Sequence, residues 1–284
     1  MKEEVWTPQR AATRLVRIAE AFSNAHGLRR FPVDVKQLAL GAADIFGWKD
    51  PITDVQAASI KTFEGALFAG NERTKWLLLY NQSLTSPGRI RFTQAHELGH
   101  YVLHRLQRDS FECSEADMLN WSSDEKDMEA QADLFASYLL MPLDDFRQQV
   151  PATVDLDVLG RCADRYGVSL TAAILKWLSY TDEKAVLVTS NDGYVNWAWS
   201  SEPAYKAGAF FKSRKSTIEL PRGSVAADEA VRHERSGTTL PASVWFRFAE
   251  PQIPLREMKI SADQYERVLT LLCLPRSAEV WPPR

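Results

Sequence analysis

Apolar residues recur at helical spacing through the first two thirds of the chain and switch to shorter alternating segments after it. Thr7-Pro8 is a capping residue followed by a first-turn proline, and Leu15, Ile18, Ala19 and Phe22 then form a stripe ending near Gly27, which predicts a first helix. Val35, Leu38, Ala39 and Ala42 predict a second helix over Asp34–Phe46, closed by Gly47. Ala57–Ala69 and Lys75–Tyr80 read as strands around a Gly70-Asn71 turn. A helix is expected over Arg89–His104, a loop without clear period over Arg105–Ser123, and a strong helix over Asp124–Leu140 that stops before Pro142. Two short helical patterns, Asp155–Tyr166 and Ser169–Ser179, flank Gly167-Val168.

Beyond a boundary near Tyr180–Lys184 the pattern shortens. Ala185–Thr189 and Tyr194–Trp199 flank Asn191-Asp192-Gly193, a hairpin signal. Val244–Phe248 and Met258–Ile260 look like further strands, and Ala262–Leu272 like a last helix. The expected division is therefore residues 1–181, including a helical extension over about 152–180, and a smaller mixed α/β domain over 182–284.

Composition narrows the function classes. With 284 residues, 45% hydrophobic and 25% charged, the chain has the make-up of a globular protein. A formal net charge of −3 argues against direct nucleic-acid or membrane binding by the whole chain. Cys113, Cys162 and Cys273 are odd in number and scattered, which fits a reducing compartment. No secretory pattern is visible in Met1–Trp6, and apolar runs such as Trp76–Tyr80 are too short to span a bilayer, so a cytoplasmic protein is expected.

The chemistry is concentrated in His96-Glu97-Leu98-Gly99-His100, an HExxH pentapeptide on an expected helix. Side chains four apart share one helix face, so His96 and His100 can bind one divalent cation, while Glu97 faces the open corner and can take a proton from a water there. His104 lies a full turn further along, which carries its ring away from that cation; a packed or hydrogen-bonded histidine is expected. A metzincin-type third histidine is excluded, because its slot holds Leu106 and the preceding glycine slot holds Leu103. The third ligand is sought on the Asp124–Leu140 helix, where Glu129 and Asp133 are four apart beside Ala132 and Ala136. Glu129 would complete the donor set and Asp133 would accept a hydrogen bond from a ligating imidazole; Glu125 and Glu112 are rival carboxylates. The pattern is thus HExxH, 28 intervening residues, then ExxxD, a glutamate-zincin arrangement.

Arg91–His104 (RFTQAHELGHYVLH) and Glu129–Pro142 (EAQADLFASYLLMP) resemble the two signature blocks of the ImmA/IrrE family of metallopeptidases, with Asp133 in the family's Asn/Asp slot. The likeness covers roughly residues 34–177; the last hundred or so match no family pattern. It implies an α+β fold, a minimal zincin-like domain with its active-site helices on a small sheet. It also implies an endopeptidase whose substrate is a helix-turn-helix transcriptional repressor.

The expected chemistry is peptide hydrolysis with Glu97 as general base and His96, His100 and Glu129 as ligands of Zn²⁺, although two imidazoles and a carboxylate also suit Mn²⁺ or Fe²⁺. Substrate is expected as a strand added along the exposed edge of the small sheet, with Trp76–Tyr80 the candidate for that edge. Tyr80, Tyr101 and Tyr138 are oxyanion donors by type alone, and that role stays open. The rival function is a DNA-binding regulator using the 155–179 helix pair, whose second helix carries only Lys176 as a base. The basic stretch with Lys206, Lys212, Arg214, Lys215 and Arg222 reads as a solvated loop.

Overall fold

The structure is a computed structural model and describes residues 6–59, 63–113, 123–213, 215–262 and 267–282. Arg214 and residues 114–122 of the expected loop lie outside these. The chain forms two compact units, Met1–Gln149 with Ala163–Ser169, and Val150–Cys162 with Leu170–Arg284.

The first unit opens with α1 (Pro8–His26), capped by the Thr7 hydroxyl and ended by Gly27 at φ 65°. Next come α2 (Val35–Phe46), capped by Asp34, then β1 (Ile52–Ala58), β2 (Gly65–Ala69) and β3 (Trp76–Asn81). The strand expected over Ala57–Ala69 is therefore parts of two, separated by a stretch that includes residues outside the described set. The central helix is α3 (Pro87–His104), with Ser86 accepting from the Arg89 amide and Pro87 in the first turn. A short β4 (Ser110–Cys113) lies in the segment expected as loop; four residues are too few for alternation to stand out. Then α4 (Ser123–Leu140) and α5 (Leu143–Gln149) follow.

The four strands order as β1-β3-β2-β4; β1 runs parallel to β3, and the other pairs are antiparallel. The expectation that Trp76–Tyr80 is the exposed edge does not hold. That segment is β3, hydrogen-bonded on both sides, and its apolar run reflects burial within the sheet rather than an open edge. The sheet's edges are β1 and β4.

Helix α4 buries Met128, Ala132, Phe135, Ala136, Leu139 and Leu140. It approaches α3 closely because Gly99 has no side chain there: a Cβ at that position would stand 3.1 Å from the Phe135 ring and 3.2 Å from the Ala132 backbone. Arg165 and the Tyr166 hydroxyl hold the buried Asp145 carboxylate at 2.8 and 2.5 Å, fastening residues 163–169 to α5.

Helix α6 (Leu156–Tyr166) begins in the second unit, and α7 (Leu170–Leu178) belongs to it. The unit's sheet comprises β5 (Lys184–Asn191), β6 (Tyr194–Ser200), β7 (His233–Pro241), β8 (Pro254–Ala262) and β9 (Arg267–Leu274), with a short α8 (Glu202–Lys206) after β6. Strand order is β6-β5-β9-β8-β7, antiparallel throughout. The β5–β6 turn has positive φ at Asp192 (50°) and Gly193 (81°), as a two-residue hairpin with the right-handed strand twist requires.

Three sequence expectations change here. Residues 267–274 form a strand where the pattern suggested a helix, because β9 lies between β5 and β8 and its Leu271 and Leu272 are both fully buried. A strand covered on both faces reads as a continuous apolar run, which periodicity cannot separate from a buried helix. Val244–Phe248 is not a strand: Ala242–Val244 is a 3₁₀ turn after which Trp245 and Phe246 plug the core. Among the described residues of 182–284, the expected mixed α/β domain is an antiparallel sheet with one short α-helix. No described helix is long and apolar enough to cross a membrane.

Candidate metal centre

All the chemistry of the first unit meets where α3 crosses α4. His96 and His100 project from one face of α3, 7% and 0% exposed, and Glu97 beside them is fully buried. Across the helix pair, Glu129 lies 3.0 Å from His96 Nε2 through one oxygen and 3.3 Å from His100 Nε2 through the other. The two Nε2 atoms are themselves 3.0 Å apart. Among the described residues, His96, His100 and Glu129 form a group whose ligand atoms all lie within 4.8 Å of one another. Of the rival carboxylates, Glu125 pairs with Arg108 at 3.1 Å and Glu112 sits on β4, paired with Ala66 of β2.

The protonation states suit a cation. Burial pushes the His100 imidazole down to about 4, against the opposing pull of Glu129, so the ring is neutral at physiological pH. Burial opposes the charged form of Glu129 as well, yet hydrogen bonds from His100 and His96 outweigh it and hold the carboxyl well below its ordinary range. His96 Nδ1 donates to Asp133 Oδ1 at 2.8 Å, which turns Nε2 toward the convergence point. Shared protons on the Nε2 atoms link the two rings and Glu129, and a cation would take their place. Spacings of 3.0–3.3 Å match the donor separation of about 3.3 Å that metal bonds of about 2.0–2.1 Å produce in a tetrahedral shell.

Other side chains shape this centre. Phe111 of β4 stacks on the His100 ring, centroids 4.7 Å apart, and thereby places an edge strand beside the donors. Gly65 of β2 makes room for the Glu97 carboxylate: a Cβ there would stand 2.5 Å from Glu97 Oε1 and 2.5 Å from Thr93 Cγ2. Sequence reasoning missed Gly65, since only the third dimension brings it near Glu97. The Tyr101 hydroxyl donates to the Asp50 carbonyl at 3.0 Å and is spent on packing. His104 is not in the donor group; its Nδ1 lies 3.1 Å from His100 Nδ1.

The crossing of α3 and α4 thus gathers two imidazoles and a carboxylate that could hold a metal ion, with a second buried glutamate beside them. Residues 49–178 are similar to the Peptidase_M78 family model, described as the IrrE N-terminal-like domain. The match agrees with the ImmA/IrrE resemblance of the two signature blocks and supports a metallopeptidase-type function with a metal cofactor. A comparison with curated protein sequences gives no match.

Proposed function

We propose that this protein is a zinc-type metallo-endopeptidase that cuts a peptide bond in a helix-turn-helix transcriptional repressor, in the cytoplasm. The convergence of His96, His100 and Glu129 beside the buried Glu97 supports the reaction, and the repressor substrate rests on the family resemblance. His96, His100 and Glu129 are the ligands and Asp133 fixes the His96 ring through its 2.8 Å hydrogen bond. Nitrogen donors favour Zn²⁺, while Mn²⁺ and Fe²⁺ suit the same set. A cation held by His96, His100 and Glu129 would supply Lewis acidity to the scissile carbonyl and the attacking water.

The chain's own groups do the rest. Glu97 takes the proton of the attacking water and delivers it to the leaving amine; Gly65 keeps the space its carboxylate needs. An extended substrate adds to the outer edge of β4, the edge strand whose Phe111 covers His100. The peptidase part is assigned to residues 1–181 and a C-terminal domain to 182–284, a functional division that differs from the two compact units, which group Val150–Cys162 and α7 with 182–284. The alternative, DNA regulation by the 155–179 helix pair, draws less support because Lys176 is buried.

The test is Glu97→Gln, assayed by co-expression with repressors encoded beside the gene. Cleavage should fall by about 10²–10⁴-fold while metal content stays at wild-type level. Undiminished cleavage would remove Glu97 from the mechanism.

A further inference from the structure

Three histidines, His96, His100 and His104, stand one helical turn apart along α3, and the third has no place in the donor group. Its ring is 2% exposed and its Nδ1 lies 3.1 Å from His100 Nδ1. A contact between two imidazole nitrogens at that distance holds one proton, which belongs to one ring or the other. Were His104 the donor, the proton of a neutral His100 would sit on Nε2, within 3.0 Å of His96 Nε2 and 3.3 Å of Glu129, and would block the lone pair a cation needs. With His100 as donor, its Nε2 lone pair is open and His104 carries its own proton on Nε2.

We propose that His104 is a positioning residue that accepts the His100 Nδ1 proton and so locks the tautomer and ring orientation in which His100 can ligate. The inference rests on the metal reading of His96, His100 and Glu129. The two ligating rings are then backed by opposite chemistry. His96 is backed by the anionic Asp133, whose side chain is 59% exposed, and hydration makes that charge affordable. His100 is fully buried, where a second carboxylate would have to be desolvated; a neutral imidazole accepts the proton without adding charge. Phe111, stacked 4.7 Å from His100 and 6.2 Å from His104, closes the pair from the sheet side.

The test titrates the full-length, metal-stripped protein with Zn²⁺ against a chromophoric chelator. His104→Phe keeps a ring of similar shape without an acceptor and should weaken zinc binding by about 10–100-fold. His104→Asn, which restores an acceptor near the Nδ1 position, should recover most of that loss; a folded His104→Phe protein with wild-type zinc affinity overturns the proposal. Independently of any variant, long-range ¹⁵N spectra of the zinc-loaded wild type should show the His104 proton on Nε2, and a proton on His104 Nδ1 overturns it. A wild type that takes up no zinc overturns the metal reading itself, and this inference with it.

Discussion

Each unit buries ionisable groups, but the two clusters are built to opposite ends. In the first, His96, His100 and Glu129 point their donor atoms at one another, 3.0–3.3 Å apart. In the second, Glu257 of β8 is fully buried and its carboxylate is closed off: one oxygen accepts the Ala226 amide at 2.6 Å and the other the Trp245 indole at 2.8 Å. Lys259, two residues on, donates to the Asp228 carbonyl at 2.7 Å. The second cluster satisfies itself from within the protein and pins the 226–228 segment and Trp245 to the sheet. The first brings two imidazoles and a carboxylate together as a group that could hold a metal ion. Burial of charge marks both; convergence of donor atoms marks the site.

That contrast can be broken experimentally. Glu129→Ala removes one of the three donors, and metal content by elemental analysis should fall to background with the fold intact by circular dichroism. Wild-type metal content in that variant would transfer the third ligand to another carboxylate. Gly65→Ala pushes a methyl group to within 2.5 Å of Glu97 Oε1 and should lower kcat roughly a hundredfold by displacing the base, with metal content unchanged. An unaltered kcat would show that Glu97 does not need that cradle.

Glu257→Ala acts on the other unit. It orphans the Ala226 and Trp245 donors, at about 1–3 kcal/mol for each, and should lower the urea midpoint of the second unit while zinc affinity stays put. A change in zinc affinity would show that the two clusters act on one another.

The smallest effect is in pH dependence, where the signs oppose. His100 falls from its ordinary 6.5 to about 4 on folding, so as pH drops through this window the unfolded chain takes up a proton that the folded ring refuses, and the metal-free first unit loses stability. Glu129, held low, adds to the loss below its ordinary 4.5. Glu257 is raised above 4.5, chiefly by burial; the stability this gives is complete below 4.5 and is lost as pH rises through its folded value. Acidifying from pH 6.5 toward 4.5 should therefore loosen α3 and tighten β8, read by hydrogen exchange of their amides. Changes of the same sign in both would end the comparison.

The helices of the first unit were legible because their apolar stripes, caps and prolines act over one or two turns: Asp34, Gly47 and the Gly27 terminus fall where the pattern places them. The pentapeptide was legible for the same local reason, four-residue spacing on one helix. Strand β9 was not, since a segment covered on both faces has no periodicity to show, and β4 was too short to stand out. Strand pairing alone puts β4 at the sheet edge and β3 inside it.

By itself, then, the sequence determined the α3 and α4 helices, the residue types they carry and the faces on which those residues lie, because these follow from backbone periodicity and end chemistry. Tertiary structure decided which of those faces meet. Only the Gly99–Ala132 approach brings Glu129 within 3.0 Å of His96, only strand pairing sets Gly65 against Glu97, and only packing turns His104 from a neighbour in the chain into a partner of His100. Long-range proximity is set by the packing of whole elements, which no local spacing encodes.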